Sequence, residues 1–153
     1  MVEPVQKPGK SKQDYATPND FIEAVTKKFG KIDFDLAANQ TNTKAEKFYS
    51  EEDASLSQDW TKLEGNLWLN PPFSKIKPWA EKCKNSIGAN KRILFLTPAS
   101  IGSNWFYDNI YRFAKIYALK PRLQFEGCED PYIKDCMLSC YGETVGFEVW
   151  NWK

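Results

Sequence analysis

Histidine is absent from all 153 residues, and with it go Ser-His-Asp and Cys-His nucleophilic chemistry, imidazole-bound metals and the commonest general base. Carboxylates, lysines and tyrosines remain, or a reaction that needs no strong base. Long apolar runs are also missing. Nothing approaches the roughly 20 residues that cross a bilayer, and the opening MVEPVQKPGKSKQD lacks the apolar core of a secretory signal. A cytoplasmic location with no membrane partner is therefore expected. Neither sign of charge is in excess: 21 lysines and arginines face 20 aspartates and glutamates, so a polyanion has to be held by a local basic patch. The four cysteines, Cys83, Cys128, Cys136 and Cys140, are read as reduced thiols. Their spacing, with no histidine beside it, is a poor match to zinc patterns, and no metal is expected.

What the chain does hold is aromatic side chains and punctuated apolar segments. Residues 1–14 carry Pro, Lys and Gly without apolar period and read as a flexible tail, leaving 15–153 as a single domain. In ATPNDFIEAVTKKFG, Thr17 is placed as N-cap and Pro18 at the first helical position. Phe21, Ile22, Val25 and Phe29 form one stripe, and Gly30 closes the helix. KIDFDLAA alternates as a strand ending in a loop, and a short helix is placed near TKAEKFY. NLWLN is a strand. KPWAEKCKNSIG is a helix with Trp79, Ala80, Cys83 and Ile87 on one face, and KRILFLTP is a strand buried on both faces. SNWFYDNIYRFA is a helix capped by Ser103, KIYALK is a strand, and CMLSCYGETVGFEVWNW reads as an antiparallel hairpin. The pattern predicts an open α/β sheet, mostly parallel, with helices on both faces and a C-terminal antiparallel hairpin.

In such sheets ligands bind beyond the carboxyl ends of the strands, which gives Asp35 and Asn70 a shared address. Pro71 and Pro72 lack the amide needed to continue a ladder, so they force the chain off the sheet at Asn70. The Asn70 side-chain carbonyl and the two proline carbonyls make a cluster of acceptors suited to an exocyclic amine. Hydrogen bonds to both amine protons aim the nitrogen lone pair outward, and Phe73 offers a flat face to the ring that bears the amine. A nucleobase meets both demands, and one inside a duplex has to be flipped out first. Taken alone, Asn-Pro-Pro-Phe is equally an ordinary strand exit with Phe73 in the core.

The strings QDYATPNDF, FDLAANQTNTKAEKFYS, LSQDW, NLWLNPPFSKIKPW, SNWF and PRLQFEG, in this order over residues 13 to about 127, resemble phage- and prophage-type DNA adenine-N6 methyltransferases, the Dam-like proteins. The resemblance implies a Rossmann-like fold, S-adenosylmethionine as cofactor, double-stranded DNA as partner, and methylation of adenine N6, commonly within GATC. It implies that Asn70, Pro71, Pro72 and Phe73 are the catalytic motif. Tyr15, Thr17, Pro18, Asp35, Ala37, Asp59 and Asn70 are implied at the cofactor. Against this, Asp35 is otherwise a solvated strand-terminal acid, Thr17 only a cap and Asp59 a loop acid. The first strand lacks the G-x-G turn of many methyltransferases, and Ala37 and Ala38 are small enough to replace it.

For DNA contact the candidates are Lys75 and Lys77 beside the motif, Arg122, and Ser103, Asn104 and Trp105 after the buried strand, with EGCEDPYIKDC as recognition loop. No separate recognition domain is visible, so the site is read by loops, either by a homodimer or with relaxed specificity. Two other readings stand beside this one. The first is methylation of an amide or amine on protein or RNA, and the second is a catalytically silent nucleic-acid-binding module.

Overall fold

The computed structural model describes residues 16–153; the expected tail, and Tyr15, lie outside the described residues. Six strands form one sheet: β1 (Phe34–Asp35), β2 (Gly65–Leu69), β3 (Lys91–Pro98), β4 (Lys115–Lys120), β5 (Cys136–Tyr141) and β6 (Gly146–Asn151). Their order is β1-β2-β3-β5-β4-β6. β1, β2 and β3 pair in parallel and β4 pairs in parallel with β6, while β5 runs antiparallel to both β3 and β4.

Among the described residues three α-helices cover the two faces: α1 (Asn19–Phe29), α2 (Lys77–Asn85) and α3 (Asn104–Asn109). The alternation of side chains along the strands divides the core accordingly. Trp68, Leu94, Leu96 and Leu138 meet Phe21, Val25 and Phe29 of α1. Leu67, Leu69, Ile93 and Phe95 meet Ala80 and Cys83 of α2 and Phe106 of α3. No helix among the described residues is long and apolar enough to cross a membrane.

The expected C-terminal hairpin does not form. Every residue of CMLSCY is buried, whereas GFEVWN is mostly exposed. A strand apolar on both faces gains most inside the sheet, so β5 slots between β3 and β4 and leaves β6 at the far edge. Residues 142–145 carry the chain past the start of β4, whose Lys115 pairs with Cys140 on one side and Gly146 on the other. Glu143 pins that strap, accepting from the Tyr117 hydroxyl at 2.8 Å and pairing with Arg92 at 3.3 Å. Gly142 has φ +103°, and a Cβ there would run into the Lys91 carbonyl; this turn requires glycine.

Local boundaries differ from expectation where tertiary bonds outcompete propensity. No helix forms near TKAEKFY, because that backbone is drawn to β1: Asp35 N–H donates to the Lys47 carbonyl at 2.9 Å and Tyr49 N–H to the Asp35 carbonyl at 2.9 Å. Helix α2 stops at Asn85, so Ile87 is exposed and not part of its stripe. Thr17 is not the cap of α1; Pro18 takes the N-cap place, one residue before the helix. Ser103 does cap α3, its hydroxyl accepting from Phe106 N–H at 3.2 Å.

The consequence for function lies in direction. β1, β2 and β3 point the same way, so the segments after Asp35, Leu69 and Pro98 emerge at one end of the sheet. The connection from β4 to β5 returns to that same end, since β5 begins opposite Pro98.

Candidate active site at the ends of β1 and β2

A cavity of about 370 Å³ opens where β1 and β2 end, within the range of roughly 300 to 1,000 Å³ usual for small-molecule sites. Ala37 and Ala38 line it from the β1 side, and Asn70 and Pro72 from the β2 side. The two interrupted strand ends thus share one cleft, with two alanines where a G-x-G turn would stand. Trp79 and Tyr49 supply aromatic wall. Trp79 is backed by the buried Trp60 ring, stacked at 6.2 Å, and Tyr49 is held edge-on to Phe34 at 4.7 Å.

Asn70 is half-buried, and its Nδ2 donates to the Thr17 hydroxyl at 2.9 Å. Thr17 is 1% exposed, so this bond is made to a fixed group and holds the Asn70 amide in place. Thr17 sits at the motif through its hydrogen bond, in place of a capping role. Pro18 is buried beside it, and neither residue lines the cavity.

Phe73 leaves the cavity and joins another cluster. Its ring lies 6.2 Å from Phe125 and 6.1 Å from Tyr132, themselves edge-to-face at 5.4 Å. This brings 121–136, which includes the expected recognition loop EGCEDPYIKDC, against the motif. Glu126 N–H reaches the Ala16 carbonyl at 3.2 Å, and the Lys44 ammonium lies 3.8 Å from Glu126.

Asp35 is not on the cavity wall. It is 2% exposed, and its two carboxylate oxygens accept from Ala37 N–H at 3.2 Å and Lys44 N–H at 2.9 Å. Burial pushes the carboxyl up to about 6, against the pull of the Lys44 and Ala37 amides and the Lys44 charge. The side chain shapes the loop that carries Ala37 and Ala38 into the cleft. Asp59 is likewise elsewhere: it caps Thr61, accepting from its amide at 3.0 Å and its hydroxyl at 2.5 Å, and those bonds hold its carboxyl below the usual range.

Among the expected DNA contacts, Lys75 and Lys77 are exposed next to the motif. Arg122 is exposed and paired with Asp135 at 2.8 Å. The Ser103 hydroxyl is occupied by its cap and by the Ser100 carbonyl at 2.7 Å, Trp105 is half-buried against the α2 and α3 core, and Asn104 is exposed. All four cysteines are free thiols, and burial raises Cys83 well above its ordinary value and Cys136 to about 12. No group of His, Cys, Asp and Glu able to hold a metal occurs among the described residues.

Sequence reasoning assigned no chemistry to the wall formed by residues 49–56. Glu51 is the single charged side chain among the described residues that line the cavity. Ser55 also lines it, 5% exposed, with a buried hydroxyl that has no partner. A nucleoside-type ligand fits this lining: flat aromatic wall for a base, a carboxylate for hydroxyl or ammonium groups, and a serine at the wall whose buried hydroxyl has no partner.

Comparison with known proteins gives the same direction. The family model for DNA N-6-adenine-methyltransferase (Dam) matches residues 5–136. A DNA N-6-adenine-methyltransferase of Escherichia phage T1 is 33% identical over 135 residues, covering 88% of this chain and 56% of the relative. One of Haemophilus phage HP1 (strain HP1c1) is 32% identical over 99 residues, covering 62% of this chain and 55% of the relative. The chain thus spans little more than half the length of these relatives.

Proposed function

The chain belongs to the DNA N-6-adenine-methyltransferase (Dam) family, and on that premise we propose that it is a site-specific DNA adenine-N6 methyltransferase. It moves a methyl group from S-adenosylmethionine to the amine of an adenine flipped from double-stranded DNA, with no covalent enzyme intermediate. Membership of the family implies a methyl donor. The reading takes residues 15–153 as one Rossmann-like methyltransferase domain acting in the cytoplasm, and the mostly parallel sheet with helices on both faces supports that fold.

The observation that carries the reading is the meeting of Asn70 and Pro72 with Ala37 and Ala38 around one cavity. S-adenosylmethionine, when bound there, supplies an electrophilic methyl group on a sulfonium centre. The protein's own work is to hold the amine. Asn70 Oδ1 and the Pro71 carbonyl accept its two hydrogens, which localises the lone pair on nitrogen and points it at the cleft. Thr17 keeps the Asn70 amide from rotating. Phe73, braced by Phe125 and Tyr132, offers its face to the purine. The nitrogen becomes strongly acidic once methylated and loses its proton to water, so a chain without histidine is equipped for the step. Lys75 and Lys77, exposed and close in sequence to the motif, are the phosphate contacts of this reading.

The test is incubation of purified protein with radiolabelled S-adenosylmethionine and duplexes containing or lacking GATC, followed by nucleoside analysis. N6-methyldeoxyadenosine in the DNA is the expected product. Label confined to protein or RNA refutes the assignment.

A further inference from the structure

Two acidic residues were expected at the donor, Asp35 and Asp59, and both carboxylates are occupied elsewhere by backbone and hydroxyl donors. Glu51 differs on each count. It is exposed, it lies on the cavity wall, and its carboxylate makes no hydrogen bond or ion pair among the described residues. Its surroundings are built rather than loose. Asp53 accepts from Ser50 N–H at 2.7 Å and its hydroxyl at 3.0 Å, Ala54 N–H donates to the Glu51 carbonyl at 3.1 Å, and Gln58 Nε2 reaches the Asp53 carbonyl at 2.7 Å.

Ser55 adds an independent mark. Its carbonyl is fixed by the Trp60 indole N–H at 3.0 Å and Gln58 N–H at 3.0 Å. Its hydroxyl is buried and unpaired, an arrangement that costs stability unless something completes it. Among the described residues two other buried hydroxyls lack partners, those of Thr97 and Ser139. Both stand in strands, β3 and β5, and neither is among the residues that line the cavity. Ser55 alone of the three lines it.

We propose that Glu51 and Ser55 are the polar contacts of the methyl-donor site, the Glu51 carboxylate accepting hydrogen bonds from the hydroxyls or ammonium of an adenosyl ligand and the Ser55 hydroxyl bonding a second polar atom of it. This rests on the methyltransferase reading and names the residues that would hold the donor. A carboxylate suits either group, since vicinal hydroxyls donate two bonds to its two oxygens and an ammonium adds charge attraction. Trp79, at the same wall, provides the flat surface for the adenine.

The experiment is calorimetric binding of S-adenosylmethionine and of the neutral 5′-methylthioadenosine to wild type, Glu51→Gln, Ser55→Ala and, as control, Asp59→Asn. Glu51→Gln is expected to weaken S-adenosylmethionine about tenfold or more. Equal weakening of methylthioadenosine assigns the contact to the hydroxyls, and weakening of S-adenosylmethionine alone assigns it to the ammonium. Ser55→Ala is expected to weaken both ligands several-fold while the ligand-free protein melts at the same or a higher temperature, because an unpaired buried hydroxyl has been removed. A purely structural serine would not give that combination. Unchanged affinity in both variants, or equal weakening by Asp59→Asn, overturns the assignment while leaving the methyltransferase reading intact. If wild type binds neither ligand and transfers no label to DNA, that reading falls and takes the assignment with it.

Discussion

Replacing Asp35 with asparagine separates a loop-shaping acid from a ligand. The carboxyl is 2% exposed and held near 6 by burial, from an ordinary value of 3.8. The difference, 6 − 3.8 = 2.2, at about 1.4 kcal/mol per unit corresponds to about 3 kcal/mol. Its sign follows from which state holds the proton. Between pH 4 and 6 the native state keeps a proton that the unfolded chain has released. The contribution of the neutral form is therefore complete below about pH 4 and is lost as pH rises through 6.

The Asp35→Asn variant has no such titration. An amide has one acceptor oxygen, however, so its NH2 must confront either the Ala37 or the Lys44 N–H, at a constant cost of about 1–3 kcal/mol. The two effects are told apart by their pH dependence. Urea unfolding followed by tryptophan fluorescence at half-unit steps from pH 4 to 8 gives the stability of each protein. The wild-type advantage is expected to shrink by about 3 kcal/mol across the range, with most of the change before pH 7. A difference constant to within about 0.5 kcal/mol means the carboxyl is not desolvated as described. A difference that grows with pH means the two amides outweigh burial, which reverses the argument.

Three further substitutions probe the cleft. Asn70→Ala should lower turnover by about 10²- to 10³-fold with donor affinity nearly unchanged, because its contacts tighten as charge develops on the amine; a calorimetric loss of donor binding with normal turnover would contradict that role. Thr17→Val keeps shape but removes the 2.9 Å acceptor of Asn70 Nδ2, and about 1 kcal/mol of lost orientation should appear as a several-fold fall in kcat with KM for the donor held. Phe73→Leu gives up two ring contacts, each contributing about 0.5–1.5 kcal/mol. It should lower the melting temperature and raise KM for DNA, and an unchanged KM would show that the ring only packs.

The parts of the fold legible in the sequence were those whose signal is local. KRILFLTP runs apolar from Ile93 to Leu96 and is a central strand of the sheet, buried from Ile93 onward. Phe21, Val25 and Phe29 mark the inner face of α1, and Gly30 ends it at φ +97°. The fate of CMLSCY was harder. A turn of Gly-Glu-Thr between two apolar runs suits a hairpin, but the hairpin reading compares the strands only with each other. What decides is competition for the interior of the whole sheet. CMLSCY carries no charged side chain, while GFEVWN holds Glu148, ion-paired to Lys115 at 2.9 Å and partly exposed, a charge that suits an edge strand.

The site divides along the same line. Pro71 and Pro72 announce themselves because the missing amide is a covalent property of the residue, and no tertiary context can restore it. Glu51 and Ser55 carry no such mark. They stand in residues 36–64, a connection between β1 and β2 with only two 3₁₀ turns in it, far longer than packing requires. A stretch of that length in a compact sheet has to be held down, and here the buried Asp35 carboxylate and the backbone of β1 do so, at Lys44, Lys47 and Tyr49. The acid that sequence logic placed on the ligand thus acts one step behind it, fixing the loop whose alanines line the cleft. If that is its role, Asp35→Asn weakens the donor only as far as the loop loosens. Glu51→Gln should weaken it with the urea midpoint at neutral pH unmoved, because the Glu51 carboxylate is exposed and bonds to nothing among the described residues.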